Sequence, residues 1–248
     1  MEKPKICIVM WYNDGHKDFG DINYKINKAY CDKHGYDIIR DCERRMPKRE
    51  VHFERVALVE KYLDDYDYVV WVDADMYIYI DSPPLDFILN DYKDKDFIFS
   101  NDAFNVYKGE LAINSGIFIV KNTEYSKEIL DLWGRNDHLN RHRVDGFRDQ
   151  GVIRLMLQTN VRELVEHCTL APFGFFQQYY DGKLCSVNDR NKNLLSLEEL
   201  KELWSRYDMQ KPFAIHGAGC ENDERIKCST DYYESLNSKQ NNDGKKCD

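Results

Sequence analysis

Residues 68–72, Tyr68-Val69-Val70-Trp71-Val72, form an unbroken apolar run that stops abruptly in Asp73-Ala74-Asp75. Five apolar residues without alternation suit a strand covered on both faces, as in the parallel sheets of α/β proteins. Ligands of such sheets bind beyond the carboxyl ends of the strands. Two carboxylates two positions apart at a strand end can turn toward one ion. Oxygen-only ligation suits Mg²⁺ or Mn²⁺, which bridge diphosphate oxygens. Two solvated turn aspartates are the plainer alternative, since a bare Asp-x-Asp occurs in many loops. Its place directly behind a buried strand favours the metal.

The rest of the chain alternates strand and helix signals, which predicts an α/β fold. Ile6 to Trp11 is another buried strand. A helix follows, with Asp21 as its cap, Ile22, Ile26, Ala29 and Tyr30 on one face and Gly35 just past its end. Tyr36 to Arg40 reads as a strand, Phe53 to Leu63 as a helix and Leu85 to Leu89 as a short helix. Phe97 to Phe99 and Ile113 to Val120 are further strands. Tyr125, Ile129, Leu132 and Trp133 mark one helix face, and Gln150 to Leu157 is another helix. Ser196 and Glu199 form a capping box, and Phe213 to Ile215 is a last short strand. One domain over residues 1–228 is expected, then a polar, disordered tail over 229–248.

Charge and cysteine content narrow the partners. Lys plus Arg total 35 against 44 Asp plus Glu, a net charge of −9, which argues against a nucleic-acid partner. No apolar run approaches the ~20 residues of a membrane span. Ile6 to Met10 is too short for a signal-peptide core, so a cytoplasmic location is expected. The eight cysteines contain no CxxC pair and read as reduced thiols, with Cys7 a core residue. Cys220 and Cys228 could pair or bind metal, but the usual zinc spacings are absent.

Three more segments carry candidate chemistry. His216 ends the last strand and precedes Gly217-Ala218-Gly219-Cys220. It reads either as a hydrogen-bonded structural histidine or as a third ligand; with Asp73 and Asp75 the mixed O/N set would favour Mn²⁺ over Mg²⁺. Asn114-Ser115-Gly116 interrupts a strand, which fits a harmless bulge or a close ligand approach equally. Asp149-Gln150 begins a helix. There Asp149 is either an N-cap, its pKa lowered by the helix terminus, or an acid aimed at a reacting carbon. The basic stretches around Arg44 to Arg49 and Arg135 to Arg148 are solvated loops or, alternatively, a lid over an anionic ligand.

Together these segments resemble the GT-A nucleotide-sugar glycosyltransferases. They are most similar to the galactosyl/xylosyl/mannosyltransferase family of fungal and plant Golgi enzymes and their virus-encoded relatives. The shared pieces are Lys33-His34-Gly35-Tyr36-Asp37, Tyr68 to Asp75, Asn114-Ser115-Gly116 with Lys121-Asn122, Asp149-Gln150 and His216 to Cys220. The resemblance implies a mixed, mainly parallel sheet flanked by helices. It implies that Asp73, Asp75 and His216 hold Mn²⁺ (or Mg²⁺) against the diphosphate of a nucleotide-sugar donor. Trp11 and Tyr12 would meet the base, and Arg55, Ala74, Asn114, Ser115 and Gly219 would complete the donor site. Asp149 and Gln150 would be catalytic. UDP-sugars are the first donor expectation and GDP-sugars the second, with a carbohydrate or glycoconjugate hydroxyl as acceptor. The Golgi enzymes carry a membrane anchor that this sequence lacks, which fits a viral or microbial setting.

Two other enzyme classes fit less well. A haloacid-dehalogenase phosphatase wants its DxD strand near the amino terminus and Thr or Val two residues after the second Asp; here Met76-Tyr77 follow Asp75. A sugar nucleotidyltransferase wants a glycine- and arginine-rich loop after the first strand, where this chain has Trp11-Tyr12-Asn13-Asp14-Gly15. A non-catalytic nucleotide-sugar or glycan binder on the same scaffold is the alternative from a different class.

Overall fold

The computed structural model describes residues 2–102, 113–135, 148–179 and 195–243, with side chains to residue 238. Its centre is a six-stranded sheet in the order β2-β1-β3-β6-β5-β7. These are β1 (Ile6–Trp11), β2 (Asp37–Asp41), β3 (Tyr68–Val72), β5 (Phe97–Asn101), β6 (Ile113–Lys121) and β7 (Cys168–Ala171). Neighbouring pairs are parallel except where β6 runs against β3 and β5, so the sheet is mixed and mainly parallel, as expected. Reversal of β6 brings its amino end to the edge where β1, β3 and β5 finish.

Both faces of this sheet are covered, which explains the continuous apolar runs. Ile6, Ile8, Met10, Val70 and Val72 point into one core, and Cys7, Val9, Trp11, Val69 and Trp71 into the other. Cys7 is fully buried and its thiol is pushed up to about 12 by burial. Helix α1 (Lys17–His34) lies against the first core; α2 (Glu54–Leu63), α4 (Glu124–Arg135) and α5 (Arg148–Gln158) cover the second. The short α3 (Leu85–Leu89), one-turn α6 (Leu164–His167) and α7 (Leu197–Ser205) complete the layers up to the last helix. Among the described residues, no helix is long and apolar enough to cross a membrane.

Several boundaries follow their local chemistry. Gly35 ends α1 at φ 71°, the left-handed position that glycine adopts without steric cost. Ser196 and Glu199 form the expected reciprocal box at α7. Helix α1, however, begins at Lys17, four residues before Asp21; the Asp21 carboxylate instead accepts from the Tyr12 hydroxyl at 2.9 Å. The register of β5 against β6 shifts between Phe99 and Ser100, so the Asn114-Ser115-Gly116 interruption is a bulge.

Over residues 229–243 the expectation of a disordered tail is corrected; residues 244–248 lie outside the described residues. Residues 222–243 form helix α8 (Asn222–Asp243). Cys228, Tyr232 and Leu236 recur at four-residue spacing and bury against Ile22, Ile26 and Tyr77. The Tyr232 ring stacks on Tyr77 with centroids 4.8 Å apart, and its hydroxyl accepts from the Ile80 amide at 2.9 Å. This anchor adjoins a second, three-stranded sheet, β4 (Met76–Ile78), β9 (Ala214–His216) and β8 (Gln177–Tyr179), in that order.

Candidate active site

The chain leaves β3 into a turn that is fixed from four sides. The Asp73 amide donates to the Gly116 carbonyl at 2.8 Å, and the Gly217 amide donates to the Asp75 carbonyl at 2.8 Å. Asn23 Nδ2 holds the Ala74 carbonyl at 2.8 Å. Asn27 bridges the Met76 carbonyl and the Ile78 amide at 3.1 and 2.7 Å. Asn23 and Asn27, one turn apart on α1, are both fully buried. Buried amides need such partners, because an unmade hydrogen bond there costs roughly 1–3 kcal/mol.

Strand β9 lies antiparallel to β4 and delivers His216 to the same point, paired with Met76. Its Nε2 is 3.4 Å from Asp75 Oδ1 and 3.8 Å from Asp73 Oδ2. Ligand atoms of the three residues all lie within 4.8 Å of one another. The ring fits only because residue 116 is glycine: a Cβ there would stand 2.3 Å from His216 Cε1. Two carboxylates and an imidazole nitrogen around one point are a donor set suited to Mn²⁺, and they leave coordination positions for phosphate oxygens. The same closeness sets the charges. Burial works against the His216 cation, but Asp75 and Asp73 outweigh it and raise its pKa. Burial, then Asp75, raise Asp73 against the pull of Arg55 and His216. For Asp75, burial is outweighed by His216 and Arg225, and its pKa falls.

Arg55 on α2 ties this cluster to Asp149. Its Nη1 donates to the Ser115 carbonyl and hydroxyl at 2.7 and 2.6 Å, while Nη2 sits 3.2 Å from Asp73 Oδ1. Its Nε is 3.3 Å from Asp149 Oδ2. The guanidinium therefore spends its fork on protein partners while also lining the cleft. Asp149 lies inside the first turn of α5 and is only 2% exposed. Burial raises its carboxyl to about 6, with Arg55 opposing and Asp73 adding to the rise. The expectation of a lowered pKa from the helix terminus is thus reversed: desolvation exceeds the dipole. Gln150 Oε1 accepts from the Ser115 amide at 3.0 Å. Asn114 Oδ1 accepts from the Gly116 amide at 2.8 Å, and its Nδ2 donates to the Tyr179 hydroxyl at 3.1 Å.

An open cleft of about 250 Å³ runs from this cluster between the ends of β1 and α2. Trp11, Tyr12, Arg55, Asp73, Ala74 and Asp75 line it, as do His16, His52 and Arg225, which the sequence did not single out. Arg225 of α8 reaches Asp75 Oδ2 at 3.3 Å. Gly219 sits in the left-handed turn after His216 (φ 75°) and is not among the described residues lining the cleft. Arg44 and Arg45 are tied to Glu54 and Asp41, Arg135 to Glu60 and Asp131, and Arg148 to Glu50. Arg141, His142 and Arg143 lie outside the described residues. Cys228 is buried, with its Sγ 3.5 Å from the Tyr77 hydroxyl.

This arrangement of sheet, strand-end aspartates and histidine is the GT-A glycosyltransferase fold. The chain belongs to the family described as "Protein of unknown function, DUF273", whose model matches residues 27–170. "Probable glycosyltransferase 6" of Oryza sativa subsp. japonica is 26% identical over 113 residues, 43% of this chain and 23% of its own length. "Glycosyltransferase 6" of Arabidopsis thaliana is 24% identical over 118 residues, 44% of this chain and 26% of its own. The match thus spans about a quarter of the length of these curated relatives. Among solved structures, a glycosyltransferase involved in glycosylation of the major capsid of PBCV-1 superposes with a TM-score of 0.64 at 14% identity, covering 92% of this chain and 99% of that one. The galactosyltransferase LgtC, in complex with donor and acceptor sugar analogs, gives a TM-score of 0.54 at 13% identity, with 92% and 95% covered.

Proposed function

We propose that this protein is a metal-dependent glycosyltransferase that moves a sugar from a nucleotide-diphosphate donor, a UDP-sugar before a GDP-sugar, to a carbohydrate hydroxyl. The observation that carries this is the meeting of Asp73, Asp75 and His216, where the two aspartates also line a cleft that Trp11, Phe19 and Trp71 share. A divalent cation bound there supplies charge neutralisation to the leaving diphosphate. Asp73 and Asp75 would hold it through carboxylate oxygens and His216 through Nε2. Trp11 and Tyr12 line the part of the cleft assigned to the base, and Ala74, its carbonyl held by Asn23, lines it with them.

Breaking the anomeric carbon–oxygen bond leaves positive character on the sugar ring. Asp149, ionised at neutral pH and held by Arg55 and Ser115, is the carboxylate next to the metal end that can stabilise it. Gln150, anchored on Ser115, aligns the acceptor hydroxyl. Calorimetric titration with individual nucleotide sugars in Mn²⁺, followed by assay of nucleotide release, tests this directly. Binding and slow donor hydrolysis with one nucleotide class support the enzyme. Binding without any turnover supports the non-catalytic alternative.

A further inference from the structure

We propose that Gln177 is a positioning residue that decides which ring nitrogen of His216 faces Asp73 and Asp75. Through that choice it sets the preference of the site for Mn²⁺ over Mg²⁺. The inference rests on the metal site proposed above.

Strand β8 runs parallel to β9, with Gln177 opposite Ala214 and Tyr179 opposite His216. Gln177 has no exposed surface and His216 is 4% exposed, so solvent offers neither a substitute partner. Gln177 Oε1 lies 2.9 Å from His216 Nδ1. An amide oxygen only accepts, so Nδ1 carries the hydrogen and donates it. In the neutral ring Nε2 then keeps its lone pair, and Nε2 is the nitrogen aimed at the two carboxylates. The opposite tautomer would turn an N–H toward the aspartates and remove the ligand.

The ring has no room to escape this choice. Gly116 abuts its Cε1 and Nδ1 edge so closely that a Cβ would stand 2.3 and 2.8 Å away. The Tyr179 ring lies against it with centroids 5.8 Å apart. Among the described residues, the buried Gln177 Nε2 has no hydrogen-bond partner. An imidazole nitrogen is a good ligand for Mn²⁺, whereas Mg²⁺ keeps to oxygen. Orienting His216 is therefore a device for selecting the ion.

The test measures Mn²⁺ binding by electron paramagnetic resonance in the presence of UDP, with Mg²⁺ affinity from competition. Gln177→Met removes the oxygen acceptor at similar length and is expected to weaken Mn²⁺ about 10–100-fold, the usual cost of losing an outer partner of a metal-bound histidine. Mg²⁺ should weaken far less, so the Mn²⁺/Mg²⁺ ratio falls. Gln177→Glu keeps an acceptor for Nδ1–H and should bind Mn²⁺ more tightly than the Met variant, although its buried carboxylate costs more stability. A purely structural role would order the two variants the other way. Equal losses for both ions, or unchanged Mn²⁺ affinity in Gln177→Met, would overturn the inference.

The wild-type tautomer decides the matter even if neither variant folds. In ¹⁵N-histidine-labelled protein with Mg²⁺ and UDP, His216 should carry its proton on Nδ1. A neutral ring protonated on Nε2 contradicts the proposal. Wild-type protein that binds no Mn²⁺, or an Asp75→Ala variant that binds it undiminished, removes the metal site and this inference with it. Mn²⁺ binding that is lost in Asp75→Ala and untouched in Gln177→Met removes this inference alone.

Discussion

Arg55 Nε lies 3.3 Å from Asp149 Oδ2, while the other arm of the same guanidinium lies 3.2 Å from Asp73 Oδ1. One buried cation therefore spaces Asp73 of the candidate metal site from Asp149, the carboxylate proposed to act on the sugar. The cost of burying a cation is offset only if its partners are all in place. Arg55→Ala leaves Asp73 and Asp149 facing each other without it, and should lose about 3–5 kcal/mol of stability at neutral pH in urea titrations. Arg55→Lys keeps the charge but not the fork. It should fall between wild type and the Ala variant; a Lys variant as stable as wild type would show that charge alone suffices.

Gly116→Ala tests the histidine seat. The added methyl must push on the Cε1–Nδ1 edge of a ring whose Nδ1 Gln177 already holds. Overpacking of this kind costs about 1–3 kcal/mol. The melting temperature should fall, and Mn²⁺ binding should weaken by more than the fold does. Wild-type metal affinity in this variant would mean that the ring shifts freely.

Asp149 gives a signed pH dependence. Its folded carboxyl titrates at about 6, above the ordinary carboxylate value of 3.8. The native state thus keeps the proton longer than the unfolded chain. Stability from this group is full below pH ~4, declines as pH rises to ~6 and stays lower above it. By conversion of the shift this amounts to on the order of 3 kcal/mol in the metal-free protein. The stability of Asp149→Asn relative to wild type should therefore be higher at pH 7.5 than at pH 4.5. Its donor affinity should hold while transfer falls at least about a hundredfold. Equal stability differences at the two pH values would refute the buried-acid description, and near-normal transfer would leave Asp149 a structural residue.

The end of the chain reverses an expectation drawn from composition. Removing residues after Thr230 deletes Tyr232 and Leu236 from the packing against Ile26 and Tyr77. Loss of such contacts costs about 2–5 kcal/mol, which lowers the melting temperature by several degrees. An unchanged melting temperature would show that the helix adds nothing.

What was legible in the sequence was what one segment fixes by itself. The buried strand before Asp73, the turn glycine at Gly35 and the Ser196–Glu199 box each carry their own local chemistry. Helix α8 was missed because its apolar stripe of Cys228, Tyr232 and Leu236 is diluted by polar neighbours, and composition averages over a stripe. Strands β4 and β8 are three residues each, too short for an alternation pattern. Asn23 and Asn27 did leave a signal: two amides four apart, flanking Ile26 on the apolar face of α1. Gln177 left none, since its role exists only where β8 meets β9. The direction of the Asp149 shift was hidden likewise, because burial depends on what packs over the helix start.

Nucleotide release from a UDP- or GDP-sugar, measured with Mn²⁺ in wild type and in Asp75→Ala, bears most directly on the proposed chemistry. The wild type should turn over its donor only with a divalent cation, and the variant should be folded and inactive under the same conditions. Equal turnover in excess EDTA, or full activity in Asp75→Ala, would contradict metal-dependent glycosyl transfer at this site.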